Sequence, residues 1–235
     1  MNDPHAKPDA ANRSLDNIQI LMEAPREIVD EVISLCTWAE FQENDVVVDS
    51  DDASTDVFFV VKGRLRAMDY LTENQQVALA DLEAGESFGE LSAIDLKMRS
   101  ARVVALEHSV LASMSSRDFR KLLMDCPGIA LALLKRFASF IRTLNTRVTA
   151  MSTMSPHQRI YFELLRLAEP DTGDPGGWII NNAPNHAEIA SWVGADRQTV
   201  ADAIGNLARD GVIERKHKNL RIRDHSRLQR LVNQQ

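Results

Sequence analysis

The chain has 235 residues, 44% of them apolar and 26% charged, and its 27 Lys and Arg against 34 Asp and Glu leave a formal net charge of −7. That length suits two domains and a connector rather than one core, and the acid excess excludes a protein that wraps its whole surface in nucleic acid. No apolar run approaches the length of a membrane span and no charged-then-apolar leader opens the chain, so a cytoplasmic protein with no membrane partner is expected.

Met1 to Arg13 is polar, carries Pro4 and Pro8, and sets residues 1–14 apart as a flexible lead. Residues 15–37 read as a short helix through Ile18, Leu21, Ile28, Val29, Val32 and Ile33, with Pro25 starting its second turn. From Thr37 to Leu82 the pattern changes to short β-like pieces at Val46–Val48, Val57–Val61, Leu65–Met68 and Val77–Leu79, parted by turn residues that include Gly63 and Glu73-Asn74. Strands of that length and spacing make a sandwich or barrel. Cys36 and Cys126 have no CxxC spacing and read as two structural thiols in a reducing compartment, too few for an iron–sulfur cluster.

The stretch Phe88-Gly89-Glu90-Leu91-Ser92-Ala93 opens on a turn glycine and runs into one or two helical turns; Arg99-Ser100-Ala101 closes it before a β-like run at Val103 to Leu106. Free N–H groups from Leu91 to Ala93 favour a phosphate, Arg99 can clamp it through two charge-assisted bonds, and Glu90 can only accept, which suits a sugar hydroxyl. Gly89 lets backbone come close to such a ligand. The competing readings are a structural Glu90–Arg99 ion pair and a solvated Ser100 hydroxyl; Arg102 reads as an exposed strand residue.

Ser116 to Asp125 reads as a short helix, and Pro127 starts a long one. On it Leu134, Phe137, Ile141, Leu144, Val148 and Met151 fall at alternating spacings of three and four, a seam that needs a partner: a second copy of the chain or the chain's own β-domain. Asn145 and Thr146 stand beside the seam, as base-edge readers or as plain helix-face residues. Ser155-Pro156 breaks the helix and reads as a hinge. A further amphipathic helix follows through Ile160, Leu164, Leu165 and Leu167, then a Gly- and Asp-rich loop at 171–177 and a short strand at Trp178–Ile180.

Asn185 and Glu188 form a capping-box pattern, Gly194 makes a turn, and Asp196 caps a second helix over Arg197 to Arg209 with Val200, Ala203, Ile204 and Leu207 inward. Two short helices about such a turn are a helix-turn-helix, and the following Gly211–Ile222 hairpin makes it a winged one. Residues 205–230 hold eight basic against three acidic side chains, so the basic charge is concentrated on this reader. Arg197 suits guanine and Gln198 adenine. Thr199 heads the same helix, and Asp202 lies one turn on. Arg215, Lys216, Lys218 and Arg221 read as phosphate contacts of the wing, or as a solvated hairpin.

The F-G-E-L and R-S-A motifs, the Val57–Gly63 piece with its Lys62-Gly63-Arg64 ending, and R-Q-T-V at Arg197 to Val200 resemble the Crp/Fnr family of transcription regulators, and more narrowly its cAMP- or cGMP-responsive receptors of alphaproteobacteria. The resemblance covers nearly everything after residue 15. It implies an α+β fold: a cyclic-nucleotide-binding β-roll (jelly-roll-like) at 15–126, a dimerisation helix and hinge at 127–155, and a winged helix-turn-helix at 156–235. It also implies cAMP or cGMP as allosteric ligand, bound by Gly89, Glu90, Leu91, Ser92, Arg99 and Ser100 with the long helix over the base. Implied partners are a second copy of the chain, palindromic double-stranded DNA and RNA polymerase; neither a metal nor an enzymatic activity is implied. Asn145-Thr146 is not the family's Thr-Ser pair, and Asp202 stands where family members often carry an Arg, so an operator with its outer guanine kept and its inner positions changed is expected. A DNA-binding regulator of the same family whose sensor domain is vestigial or takes a different ligand is the alternative; intact Glu90, Arg99 and Ser100 speak against a vestigial, constitutive version.

Overall fold

The computed structural model describes residues 13–50, 52–72 and 75–233, with the side chains of 69–72 and 75–78 left aside. Most of the flexible lead expected at 1–14, and the Glu73-Asn74 turn, lie outside the described residues. By packing, the chain forms two compact units, Met1–Ser139 and Phe140–Gln235, with the division inside a long helix.

In the first unit the elements run α1 (Arg26–Leu35), β1 (Thr37–Phe41), β2 (Val46–Val48), β3 (Val57–Lys62), β4 (Arg64–Thr72), β5 (Gln75–Glu83), β6 (Ser87–Phe88), α2 (Glu90–Asp95), β7 (Arg102–Ala105), β8 (Ser109–Met114) and α3 (Ser116–Asp125), and then the long helix α4 (Pro127–Thr153) begins. The strands form two antiparallel four-stranded sheets, ordered β1-β8-β3-β6 and β2-β7-β4-β5. Phe41, Val48, Val60, Leu65, Leu82, Phe88, Val103 and Leu111, drawn from both sheets, share one core. On the other face of the first sheet Val57, Phe59, Val110, Ala112 and Met114 pack with Leu15, Ile18, Val32, Phe119 and Ile129.

That double burial explains why Val57-Phe58-Phe59-Val60-Val61 is apolar without alternation: successive side chains point to opposite faces, and both faces are dry. The same property hides β8 from sequence patterning, and β1 was likewise not anticipated. The helix expected over 15–37 is corrected to a single 3-10 turn at Gln19–Leu21 and α1, because Pro25, with no N–H and an extended ψ of 148°, sits as the N-cap of α1 rather than within a continuous helix. Burial pushes the Cys36 thiol up to about 12. At pH 8 only about one molecule in ten thousand then carries the thiolate, so iodoacetamide should label Cys36 in the folded protein roughly a thousandfold more slowly than an ordinary thiol, and at an ordinary thiol's rate in urea. Mass spectrometry of the Cys36 peptide checks this. The stabilisation linked to the neutral thiol is complete below about pH 8.5 and fades as pH rises toward 12.

The second unit takes the C-terminal half of α4, then α5 (Pro156–Leu167), β9 (Glu169–Pro170), β10 (Trp178–Ile180), α6 (His186–Val193), α7 (Arg197–Arg209), β11 (Ile213–Lys216), β12 (Asn219–Ile222) and α8 (His225–Asn233). Ser155 and Gln158 close a capping box that starts α5 directly after α4. Ile160, Leu164, Ile189, Val193, Val200, Leu207, Leu220, Ile222 and Leu228 make its core, beside the sheet β11-β12-β10-β9. Glu163 is buried among them at 2% exposure. Its Oε1 accepts from Arg147 Nη2 at 3.3 Å and Arg166 Nη2 at 2.7 Å, and its Oε2 from Arg166 Nε at 3.0 Å. Arg147 in turn stands 6.0 Å over the Trp192 ring. Among the described residues no helix is long and apolar enough to cross a membrane.

Candidate ligand cavity and nucleic-acid interface

Gly89 sits between β6 and α2 with φ +87°, a region that glycine enters without strain. A Cβ there would lie 2.6 Å from both Arg99 Nη1 and the Asp56 carbonyl oxygen, so the position is closed to side chains on two counts. Past this turn lies a cavity of about 140 Å³, lined by Phe88, Gly89, Glu90, Leu91, Ser92, Arg99, Ser100 and Ala101 together with Val48, Ala67, Leu82 and Val103. Six of the eight sequence-predicted ligand residues therefore meet at one cavity. Asn145 and Thr146 belong to the second unit, where both are exposed and the Thr146 hydroxyl donates to the Arg142 carbonyl at 2.9 Å.

Arg99 is only 6% exposed. Its Nη1 donates to the Asp56 carbonyl and its Nη2 to Ser54 Oγ, each at 2.8 Å, and the guanidinium stands 5.5 Å over the Phe58 ring. Phe58 is itself stacked on Phe88 at 4.9 Å. Burial lowers the guanidinium's pKa from its ordinary value, with Asp56 and Asp52 opposing; an arginine keeps its charge regardless. Arg99 Nε is buried and makes no hydrogen bond to the described residues, a donor left over in a site otherwise well satisfied.

Glu90, also 6% exposed, does not pair with Arg99, which removes the ion-pair reading. Its partner is Arg136 on α4, which sequence reasoning missed: Nη1 donates to Glu90 Oε1 at 2.6 Å and to Ser87 Oγ at 2.7 Å, and Nη2 donates to the Ser87 carbonyl at 2.7 Å. Ser87 Oγ also donates to Glu90 Oε1. The only sequence signal for Arg136 is its place, directly after Lys135, between the buried Leu133 and the half-buried Phe137. Ser92 is buried with its hydroxyl on the Met98 carbonyl at 3.2 Å, Leu91 is half exposed, and Ser100 stands exposed at the mouth. Arg102 is corrected from an exposed strand residue to a half-buried one, paired with Asp49 at 3.2 Å.

In the second unit Asn185 and Glu188 make both bonds of the capping box at α6, and Gly194 takes the left-handed turn before α7. Asp196 caps α7: the Thr199 hydroxyl, then its N–H, hold the carboxyl below the usual carboxylate range. The cap therefore persists above that range and is lost only as pH falls through the lowered value. Thr199's hydroxyl proton is thus engaged within the helix. Val200, Ala203 and Leu207 turn inward, which leaves Arg197, Gln198 and Asp202 exposed on the outer face, with Gln198 Nε2 donating to Asp202 Oδ1 at 2.9 Å.

On the wing Arg215, Lys216 and Lys218 are exposed, with no acidic partner among the described residues, and His217 makes the turn at φ +56°. Arg221 is corrected from a phosphate contact: it is tied to Asp171 at 2.9 Å and faces Asp174 at 3.7 Å, bracing the loop before β10. Arg223 pairs with Glu214, and Arg227 with Asp210. Among the described residues, the unpaired positive charge of the hairpin itself is thereby confined to its tip, Arg215, Lys216 and Lys218.

Residues 38–126 match the cyclic nucleotide-binding domain family and residues 158–231 the Crp-like helix-turn-helix domain. The chain is 27% identical over 209 residues to the cyclic AMP receptor protein of Thermus thermophilus, covering 89% of this chain and 94% of that one. It is 25% identical over 192 residues to the CRP-like cAMP-activated global transcriptional regulator of Mycobacterium tuberculosis, covering 81% and 86%. In fold it resembles a CooA mutant from Carboxydothermus hydrogenoformans, with a TM-score of 0.77 at 20% identity over 94% of this chain and 98% of that one. It also resembles the c-di-GMP responsive regulator CLP of Xanthomonas campestris, with a TM-score of 0.67 at 16% identity over 84% and 99%. With a β-roll that matches the one family, a winged helix-turn-helix that matches the other, and the two matches together spanning most of its length, the chain belongs to the Crp/Fnr family of DNA-binding transcription regulators.

Proposed function

We propose that the chain is a cytoplasmic, homodimeric regulator that binds cAMP or cGMP in the 140 Å³ cavity and in consequence presents its two α7 helices to a palindromic site. Arg99 carries the sensor half of this reading: a buried cation on the wall of the cavity is a seat for a phosphate. Glu90, an acceptor on the same cavity, takes a ribose hydroxyl. A cavity below the roughly 300 Å³ of pockets that enclose a drug-sized ligand holds the ribose phosphate and leaves the base outside, where the exposed Ser100 is a candidate to meet it.

Titrating nucleotide-free protein with cAMP and with cGMP by calorimetry tests this. Micromolar or tighter binding of either is the expected result, and the ratio gives the base preference; no heat with both overturns the sensor reading.

The reader half rests on Arg197, Gln198, Thr199 and Asp202 of α7 as the groove-facing set and on Arg215, Lys216 and Lys218 of the wing as phosphate contacts. RNA polymerase is the further partner such a regulator would meet. Support for the homodimer comes from α4, where Leu134, Ile141, Leu144, Val148 and Met151 of the seam are all exposed in the single chain. Ile141→Asp with Val148→Asp should halve the mass seen by sedimentation and leave each chain folded. An unchanged mass would place the contact elsewhere.

A further inference from the structure

We infer that Gln198 and Asp202 work as one unit that reads exocyclic amino groups, cytosine N4 or adenine N6, at two neighbouring inner positions of each half-site, and that Asp202 excludes guanine and thymine from its own. The inference rests on the reading of α7 as the helix that enters the major groove. Gln198 and Asp202 are four residues apart on the outer face, both exposed, and joined by the 2.9 Å bond from Nε2 to Oδ1. A carboxylate has no proton to give, so the Gln198 amide can turn only one way: its NH₂ faces Asp202 and its Oε1 faces outward as an acceptor. No Lys or Arg among the described residues neutralises Asp202; its only hydrogen bond there is the one from Gln198.

Such a pair presents acceptors to the groove, the Asp202 carboxylate and Gln198 Oε1, with one amide N–H remaining. Guanine offers only O6 and N7 there, and thymine O4 and a methyl group, all of which face a carboxylate without a hydrogen bond; cytosine N4 and adenine N6 donate. A negative charge on the reading face also opposes the phosphates. Asp202 therefore lowers affinity for every sequence and lowers it least where an amino group answers it, so it acts as a filter rather than an anchor. Arg197, one residue before Gln198, keeps the guanine-reading role.

The test is selection of bound duplexes from a pool with randomised half-sites, using the full chain with and without cAMP or cGMP, followed by measured affinities for the selected sites. For the wild type, cytosine or adenine should be favoured over guanine at the Asp202 position by roughly 5- to 100-fold. Asp202→Ala should level that position to within about threefold, broaden the Gln198 position because the amide is freed to turn, and raise affinity for unselected DNA. Gln198→Ala should erase its own position and leave the Asp202 preference standing.

Wild-type sites with guanine at the Asp202 position, or an Asp202→Ala consensus identical to the wild type, overturn the inference. A wild type that enriches no sequence under any condition fails differently: it removes the DNA reading beneath it.

Discussion

Arg99→Ala is expected to lower affinity for cAMP or cGMP by at least about 100-fold, or roughly 3 kcal/mol, within the range for truncating one partner of a buried charged pair. Two effects combine. The phosphate loses its only buried cation on the cavity wall, and the segment held through Ser54 Oγ and the Asp56 carbonyl loses its tether. Arg99→Lys separates them, since it keeps the charge and loses the fork; its affinity should fall between the two. Thermal melts of all three proteins without nucleotide show whether the tether matters for folding. Wild-type affinity in the alanine variant would mean the phosphate is held elsewhere.

Glu163→Ala should cost the second unit about 3 kcal/mol of stability, because it strands Arg147 and Arg166 around the vacated position. The Glu163 hydrogen bond, ahead of opposing burial, raises the Arg166 pKa, and Arg147 Nε already lacks a partner. Glu163→Gln keeps the shape and one acceptor and should lose less. Urea unfolding followed by tryptophan fluorescence, which reports Trp192 beside the cluster, measures both. A loss under about 1 kcal/mol for the alanine variant would mean that water reaches both guanidinium groups.

Where the determinants are local, the sequence is enough. Asn185 with Glu188, Gly194, and Asp196 through Arg209 emerge with the boundaries expected from capping chemistry alone. The cavity was legible because Gly89, Glu90, Arg99 and Ser100 lie within a dozen residues of one another. What stayed hidden depends on distance along the chain. Arg136 lies 46 residues from Glu90 and Arg221 50 from Asp171, and nothing in either local pattern names the partner. The strand β8 was missed for another reason: Ser109 to Met114 is buried on both faces, so the alternation that reveals a half-buried strand is absent.

If Glu90 takes part in binding as proposed, the clasp of Arg136 on Glu90 and Ser87 would set a threshold for signalling. Glu90 Oε1 accepts from both Arg136 and Ser87, so the carboxylate carries no stranded charge. On the proposed reading, a ribose hydroxyl that must reach Glu90 Oε1 would compete with that clasp, and the apparent affinity would be the intrinsic one scaled by the fraction of molecules in which this oxygen is open. A clasp favoured tenfold shifts half-saturation tenfold upward at a cost of about 1.4 kcal/mol. The switch would then ignore a resting level of nucleotide and respond to a surge, with its working range written in a single arginine outside the ligand motif.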